Sequence, residues 1–378
     1  MNFAFSDEQE AFREEVRRFL AARSPMTEVR RAMEGADGFD PALWRAMAGE
    51  LGLPGIAIGE AHGGQGFGPL ELGIVQEEMG RALVCAPLFA TACLAAPAIA
   101  HVGGEADHAA WLPAIASGER TATLAWLEPG RGWGLDEVAL VARPDGGAFA
   151  LEGRKRFVVD GHTAGLWLVV ARAGDGSGRS KDGLGLFAIE AGAPGVKSEP
   201  IAPLDPTRRF ADLELDGARA VAVGEPGAAQ PGLERALAEA ATQLALECLG
   251  GAQACLDMAV AYAKQRVQFA RPIGSFQAIK HKCADMLLEL ECARAAAYWA
   301  AWACAEGDAE LPRAASLAKA LTSETYMLCA AQNIQIHGGI GVTHEADPNL
   351  YYKRARASEE LLGPPSWHRA RIADDLGI

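Results

Sequence analysis

The order of hydrophobic and polar positions divides the chain into three zones. Through about residue 118, apolar residues recur at helical spacing. "SDEQEAFREEVRRFLAAR" opens on Ser6 as a capping residue and puts Phe12, Val16, Phe19 and Leu20 on one face. "ELGIVQEEMGRAL" predicts a second amphipathic helix. From about 119 to 226 the period changes to two. "EVALVARPDGGAFALEG" reads as strand, Asp-Gly turn, strand, and "LWLVVAR", "GLGLFAIE" and "ADLELDG" are further strands. No helical stretches alternate with them, so the zone predicts an antiparallel barrel or sandwich. "AGDGSGRSKDG" (173–183) predicts a mobile hairpin loop. From 232 helices return. The interval from Pro231 to Pro272 holds no other proline and allows a helix of roughly 50 Å. A second helix is expected from about Phe276 to Ala305. A third runs from Pro312 to His337 and stops at Gly338-Gly339. The expected fold is α+β: an N-terminal α-helical domain (1–118), a middle antiparallel β-barrel domain (119–226) and a C-terminal four-helix-type bundle (227–378).

Composition narrows the classes. Half of the 378 residues are hydrophobic, enough for a sizeable core. A formal net charge of −14 argues against nucleic acid as a partner, so a phosphate-bearing ligand needs a local basic pocket. The uncharged run Ala82 to Gly104 contains Pro87 and Pro97 and is too weakly hydrophobic for a membrane span; it predicts a buried helix pair. The acidic start "MNFAFSDEQE" has no signal-peptide character. The eight cysteines lack CxxC and metal-ligand spacing, which predicts reduced buried thiols, a cytoplasmic location and no metal site. The Gly-rich stretch "GEAHGGQGFGP" lacks the Gly-Lys-Ser/Thr ending of a phosphate cradle and reads as a connecting loop.

Two stretches carry chemistry. In "YAKQRVQFARPIGSFQAIKHKCADM" (262–286), Arg266 and Phe269 are expected on one face of a helix end, before Pro272 stops it. An Arg fork suits a pyrophosphate because it donates to two oxygens. In "QIHGGIGVTHE" (335–345), paired glycines at a helix end allow close backbone approach to a ligand. Together these stretches resemble the two signatures of the flavin-dependent acyl-CoA dehydrogenase family, and the order of zones is similar over essentially the whole chain. The resemblance implies FAD as cofactor. Its ADP half would be held by Arg266, Gln268 and Phe269, and by Gln335, Gly338 and Gly339, usually of a neighbouring subunit. It also implies an acyl-CoA substrate and an electron-transfer flavoprotein as acceptor.

The other half of the family pattern is altered. Where the family carries Thr-Glu-Pro-x-x-Gly-Ser-Asp, this chain reads "LEPGRGWGLD", with Leu127 in place of Thr. Val159 of "FVVDG" replaces a flavin-contacting Thr, and a valine offers the ring no hydrogen-bond donor. Ala238 and Ala241 replace the Asp and Arg that engage acyl-CoA. Leu362 of "LLGPPSWHR" occupies the catalytic Glu position, and Pro364 and Ser366 replace a flavin-contacting Thr and a later polar residue.

Removing a proton α to a thioester requires a base. The candidates on the long helix are Glu247 and, second, Glu239. Glu247 lies in apolar "LALECLGG", where desolvation is expected to raise its pKa; the structural alternative is a pair with His281 or Arg294. Glu359 and Glu360 are expected to be solvated. The basic clusters at 153–156 and 353–356 read either as contacts to CoA phosphates or as solvated faces and salt bridges. Two functional classes follow. The chain is a self-sufficient dehydrogenase with a relocated base, or it resembles the companion subunits of heteromeric bacterial dehydrogenases acting on bulky acyl-CoAs. The latter would give it the ADP half-site while a partner supplies ring pocket and base. Flavin-dependent oxidases and monooxygenases sharing the fold form a third class.

Overall fold

The computed structural model describes residues 5–174 and 183–378; the loop predicted at 173–183 falls almost wholly outside them. Six α-helices open the chain: α1 (Asp7–Arg23), α2 (Met26–Glu34), α3 (Pro41–Leu51), α4 (Pro69–Arg81), α5 (Ala96–Val102) and α6 (Glu105–Ala116). Ser6 caps α1 in a reciprocal box. Its Oγ accepts from the Gln9 N–H at 3.2 Å, and Gln9 Oε1 accepts from the Ser6 N–H at 3.0 Å. Val16 and Leu20 are buried, with Phe12 and Phe19 packed partly against them. The 82–104 run is not a helix pair: a buried π-helical segment, Phe89–Ala95, runs straight into α5.

α4 departs from the amphipathic expectation. Every residue from Leu72 to Gly80 is buried, Glu77 and Glu78 included. The two carboxylates tolerate this because Arg13 donates to Glu77 at 2.7 Å and Arg17 to Glu78 at 2.7 Å, with Arg294 on Glu77 at 3.1 Å. α4 packs on the long helix α7 (Gln230–Gln265) at backbone contact. A Cβ on Gly80 would lie 2.0 Å from the Glu247 carbonyl oxygen, and one on Gly250 1.8 Å from that of Glu77. These two glycines set the crossing that positions Glu247.

The middle zone comprises β1 (Ala122–Ala125), β2 (Val141–Asp145), β3 (Ala148–Val159), β4 (Leu166–Ala173), β5 (Leu184–Glu190), β6 (Val196–Ile201) and β7 (Phe210–Val223). Strands β4-β2-β3-β7-β5 close into a barrel through β4–β5 pairing. The expectation of a purely antiparallel sheet is corrected, since β1–β4 and β2–β4 pair in parallel. β2 and β3 form the predicted hairpin, turning at Gly146 and Gly147, both at positive φ.

The last zone holds α7, the two-residue strands β8 (Val267–Gln268) and β9 (Arg271–Pro272), then α8 (Gln277–Ala305), α9 (Leu311–His337), α10 (Asp347–Glu360) and α11 (Pro365–Asp375). α9 lies at the centre, touching α7, α8, α10 and α11. α7 is apolar enough to cross a membrane, yet 72% of its most apolar window is buried inside the fold, as in a core helix. The eight cysteines are free thiols, six of them buried.

Candidate cofactor and substrate site

The two signatures meet at one end of the helical domain. α7 ends at Gln265, with Arg266 extended at its cap, so Arg266 and Phe269 do not share a helix face as expected. Val267–Gln268 pairs antiparallel with Arg271–Pro272, and Phe269 and Ala270 form the turn at φ 53° and 61°. Non-glycine residues rarely hold such angles, and here the tight hairpin imposes them. Arg266, Gln268, Phe269, Gln335, Gly338 and Gly339 are all exposed. Tyr262 at the end of α7 stacks on His337 at the end of α9, and His337 Nδ1 lies 2.9 Å from the Asn333 carbonyl. Gly338 ends α9 at φ 68°, and neither it nor Gly339 has a heavy atom within 4 Å of where a Cβ would stand. The patch is an open surface with a guanidinium, an amide and a flat aromatic ring.

Three altered positions converge elsewhere. Ala238, Ala241 and Leu362 line one cleft of about 550 Å³ with Trp126, Trp133 and Trp367. All three are nearly inaccessible, so the walls at these positions are apolar. The loop carrying Leu362 is held from below. The buried Lys319 Nζ donates to Ser323 Oγ at 3.0 Å and to the carbonyls of Glu359 and Gly363 at 3.2 and 3.1 Å. His368 Nε2 donates to the Leu362 carbonyl at 3.1 Å. Burial pushes the Lys319 pKa down to about 8. Burial also pushes His368 down, with Lys319 and Arg371 beside it, to about 3, so His368 is neutral. Leu362 adopts φ 63°, part of the same tight loop. The carboxylates that line the cleft, Asp136, Glu137, Glu234 and Asp374, are exposed or half-buried.

The half-buried glutamates Glu128 and Glu239 and the buried Glu247 are all engaged. Glu128 accepts from Lys155 Nζ at 2.7 Å and from the Ala139 and Leu140 N–H groups at 3.0 and 2.9 Å. It therefore closes the 128–140 loop. Burial opposes its charge, but Lys155 and these donors hold its pKa below the usual range. Burial pushes Lys155 itself down to about 8. Glu239 is bound by Arg235 at 2.6 Å and by His101 at 3.0 Å. Its pKa is also lowered: these partners outweigh burial.

The expectation for Glu247 is corrected. It is buried, as "LALECLGG" suggested, but its partners are Arg208 and Arg354 rather than His281 or Arg294. Arg354 Nη1 donates to Oε1 at 2.8 Å, and Arg208 Nη2 to Oε2. Burial acts to raise the pKa, yet the two guanidiniums bring it below the ordinary value. Glu247 is nine residues beyond Ala238, roughly 180° around the helix, and faces away from the cleft. It borders a small void of about 20 Å³ with Phe89, Asp160, Arg208 and Arg354. Arg354 also binds Asp205 at 2.7 Å and Thr207 Oγ1 at 2.7 Å.

The basic clusters are likewise not simply solvated. Lys155 and Arg354 are buried charges, while Arg154 pairs with Glu214 at 2.8 Å on the surface. Glu359 and Glu360 both pair with Arg356. Sequence reasoning missed Lys319, His368 and Arg208. A lone lysine within "SLAKALT" was a legible signal for a buried cation; Arg208 has no comparable local sign.

The chain matches the acyl-CoA dehydrogenase N-terminal domain over residues 6–119, the middle domain over 123–217 and the C-terminal domain over 230–377. It is 34% identical to "Acyl-CoA dehydrogenase IpdE2" of Mycobacterium tuberculosis, covering 98% of each chain. Among solved structures it resembles the "Tcur3481-Tcur3483 steroid ACAD G363A variant" at a TM-score of 0.88 and 32% identity, covering 98% of each chain. It also resembles the ChsE4-ChsE5 complex of Mycobacterium tuberculosis at a TM-score of 0.88 and 27% identity, covering 100% of this chain and 99% of that one. Fold, paired signatures and full-length similarity agree: this chain belongs to the acyl-CoA dehydrogenase family.

Proposed function

We propose that this chain is one subunit of a heteromeric, FAD-dependent acyl-CoA dehydrogenase that introduces an α,β double bond into an acyl-CoA thioester. One observation carries the reading. At the positions where the family places its base and acyl-CoA contacts, the cleft presents Leu362, Ala238 and Ala241, while Glu128, Glu239 and Glu247 are tied in ion pairs. A partner chain then supplies the base and the flavin-ring pocket. The steroid dehydrogenase and the two-protein complex named among the similar structures support a heteromer acting on a bulky acyl group.

The exposed patch fits the ADP half of FAD. Arg266 and Gln268 offer donors for the pyrophosphate and Phe269, 87% exposed, a flat face for adenine. Gln335 adds an amide, and Gly338 and Gly339 leave the backbone approachable. Bound there, FAD supplies the hydride acceptor. An electron-transfer flavoprotein completes the cycle as acceptor, and the free thiols suit a reducing, cytoplasmic compartment.

The test is to purify the chain alone and together with an acyl-CoA dehydrogenase chain encoded beside it, measuring flavin content and bleaching by acyl-CoA. The expected result is a flavin-loaded, active heteromer and no bleaching by the isolated chain. Full FAD occupancy and turnover by this chain alone would overturn the proposal.

A further inference from the structure

We propose that His62, Glu105 and His108 form a binding site for one divalent transition-metal ion of the zinc class. His62 ends a one-turn 3₁₀ segment, Glu60–His62, in the Gly-rich loop; Glu105 and His108 sit three apart on the first turn of α6. Each offers a ligand atom, and the three atoms lie within 4.8 Å of one another. Tetrahedral ligands at bonds of about 2.1 Å stand about 3.4 Å apart, so closure asks for side-chain shifts of about 1 Å.

Two further observations point to a ligand. His108 Nε2 is buried and has no hydrogen-bond partner. A buried polar nitrogen left bare is costly, and a neutral imidazole lone pair is a metal donor. The imidazoles meet edge to face, 5.4 Å between centroids, rather than hydrogen-bonding to each other. Glu105 makes no ion pair or side-chain hydrogen bond among the described residues. Capping of α6 does not need it, because Asp107 Oδ2 accepts from the Gly104 N–H at 2.9 Å and from the Gly224 N–H at 3.0 Å. Two imidazoles and a carboxylate are a donor set that suits zinc, leaving a fourth position for water or a small ligand. His62 and His108 also line a cavity of about 400 Å³ with His101 and Glu239, separate from the Leu362 cleft. The ion would clip the Gly-rich loop to α6.

The test titrates the untagged full chain with Zn²⁺ or Co²⁺ alone, following stoichiometry, melting temperature and the cobalt spectrum. The expected result is one equivalent bound, a raised melting temperature and cobalt bands without thiolate charge transfer. Loss of an outer-shell partner costs about 10–100-fold in affinity; His62→Ala with His108→Ala should cost more and remove the thermal shift. Glu105→Gln, at an exposed position, keeps the fold intact and should weaken binding at least about tenfold. Absence of saturable binding, a thiolate band, or unchanged affinity in Glu105→Gln and the double variant would overturn the site.

Discussion

The rings of Tyr262 and His337 stack 4.1 Å apart between centroids, 24° from parallel. Tyr262 belongs to the first signature and His337 to the second, 75 positions further along. The stack pins the end of α7 to the end of α9, so two distant segments present one surface. Tyr262→Ala should lower stability by about 0.5–1.5 kcal/mol beyond the lost buried area and weaken FAD retention. Tyr262→Phe keeps a ring and should behave as the parent. Equal flavin retention by all three proteins would show that the stack does not organise the patch.

Arg266 is exposed at the cap of α7. Arg266→Ala should therefore leave the melting temperature of the flavin-free chain unchanged. In the flavin-loaded assembly it should weaken FAD binding by about 1.5–3 kcal/mol, the value of a charge-assisted hydrogen bond. An unchanged dissociation constant would remove Arg266 from the cofactor surface.

What the sequence disclosed was what local chemistry encodes. Gly338 stops α9 where a glycine stop was expected, and Ser6 caps α1 through Gln9. The strands of "LWLVVAR" and "GLGLFAIE" form β4 and β5, paired antiparallel. The hairpin after Arg266 was hidden because Phe269 and Ala270 adopt positive φ without the Asn or Gly that normally announces such a turn. The parallel pairing of β1 and β2 with β4 was hidden as well, since alternation specifies which face is buried but not which neighbour a strand meets. The partners of Glu247 lie 39 and 107 positions away. An apolar neighbourhood in sequence therefore indicated correctly that it was buried, and a paired state was one of its two readings, but the partners named for it, His281 and Arg294, were not the arginines that the fold brings to it.

Glu247 now has a different expected role. Its carboxylate balances Arg208 and Arg354, so Glu247→Gln leaves buried guanidinium charge unmatched. Breaking a buried ion pair from one side typically costs about 3–5 kcal/mol. The measurement is the denaturant midpoint of the variant, with flavin bleaching of the assembled enzyme followed in parallel. A stable variant that has lost bleaching selectively would return Glu247 to the position of base. Reduced stability, with bleaching preserved in the molecules that remain folded, is the outcome expected here.

Asp160 supplies a pH dependence to the same cluster. It follows Val159 at the end of β3 and borders the void beside Glu247. Arg208 and Arg354 are already matched by Glu247 and Asp205, so a fifth charge is poorly compensated. Burial pushes the Asp160 carboxyl up to about 7, although both arginines pull it down. In the unfolded chain an aspartate titrates near 3.9. Between about pH 4 and pH 7 the native state therefore binds more protons than the unfolded state. Stability contributed by this group is full below pH 4, falls as pH rises, and levels off above 7. About three pKa units at 1.36 kcal/mol each set an upper limit of roughly 4 kcal/mol. Glu128, Glu239 and Glu247 act in the opposite sense, but only around and below pH 4.5, because their native values are lowered. The window from pH 5 to 8 thus isolates Asp160 from them. Asp160→Asn is the clean variant, since asparagine tolerates the φ of 51° found there and carries no charge. The difference in unfolding free energy between this variant and the parent should grow in the variant's favour as pH rises from 5 to 8, because the opposing contribution of His368 is common to both proteins. Parallel curves for the two proteins from pH 5 to 8 would mean that Asp160 stays ionised throughout and that the cluster accommodates its charge.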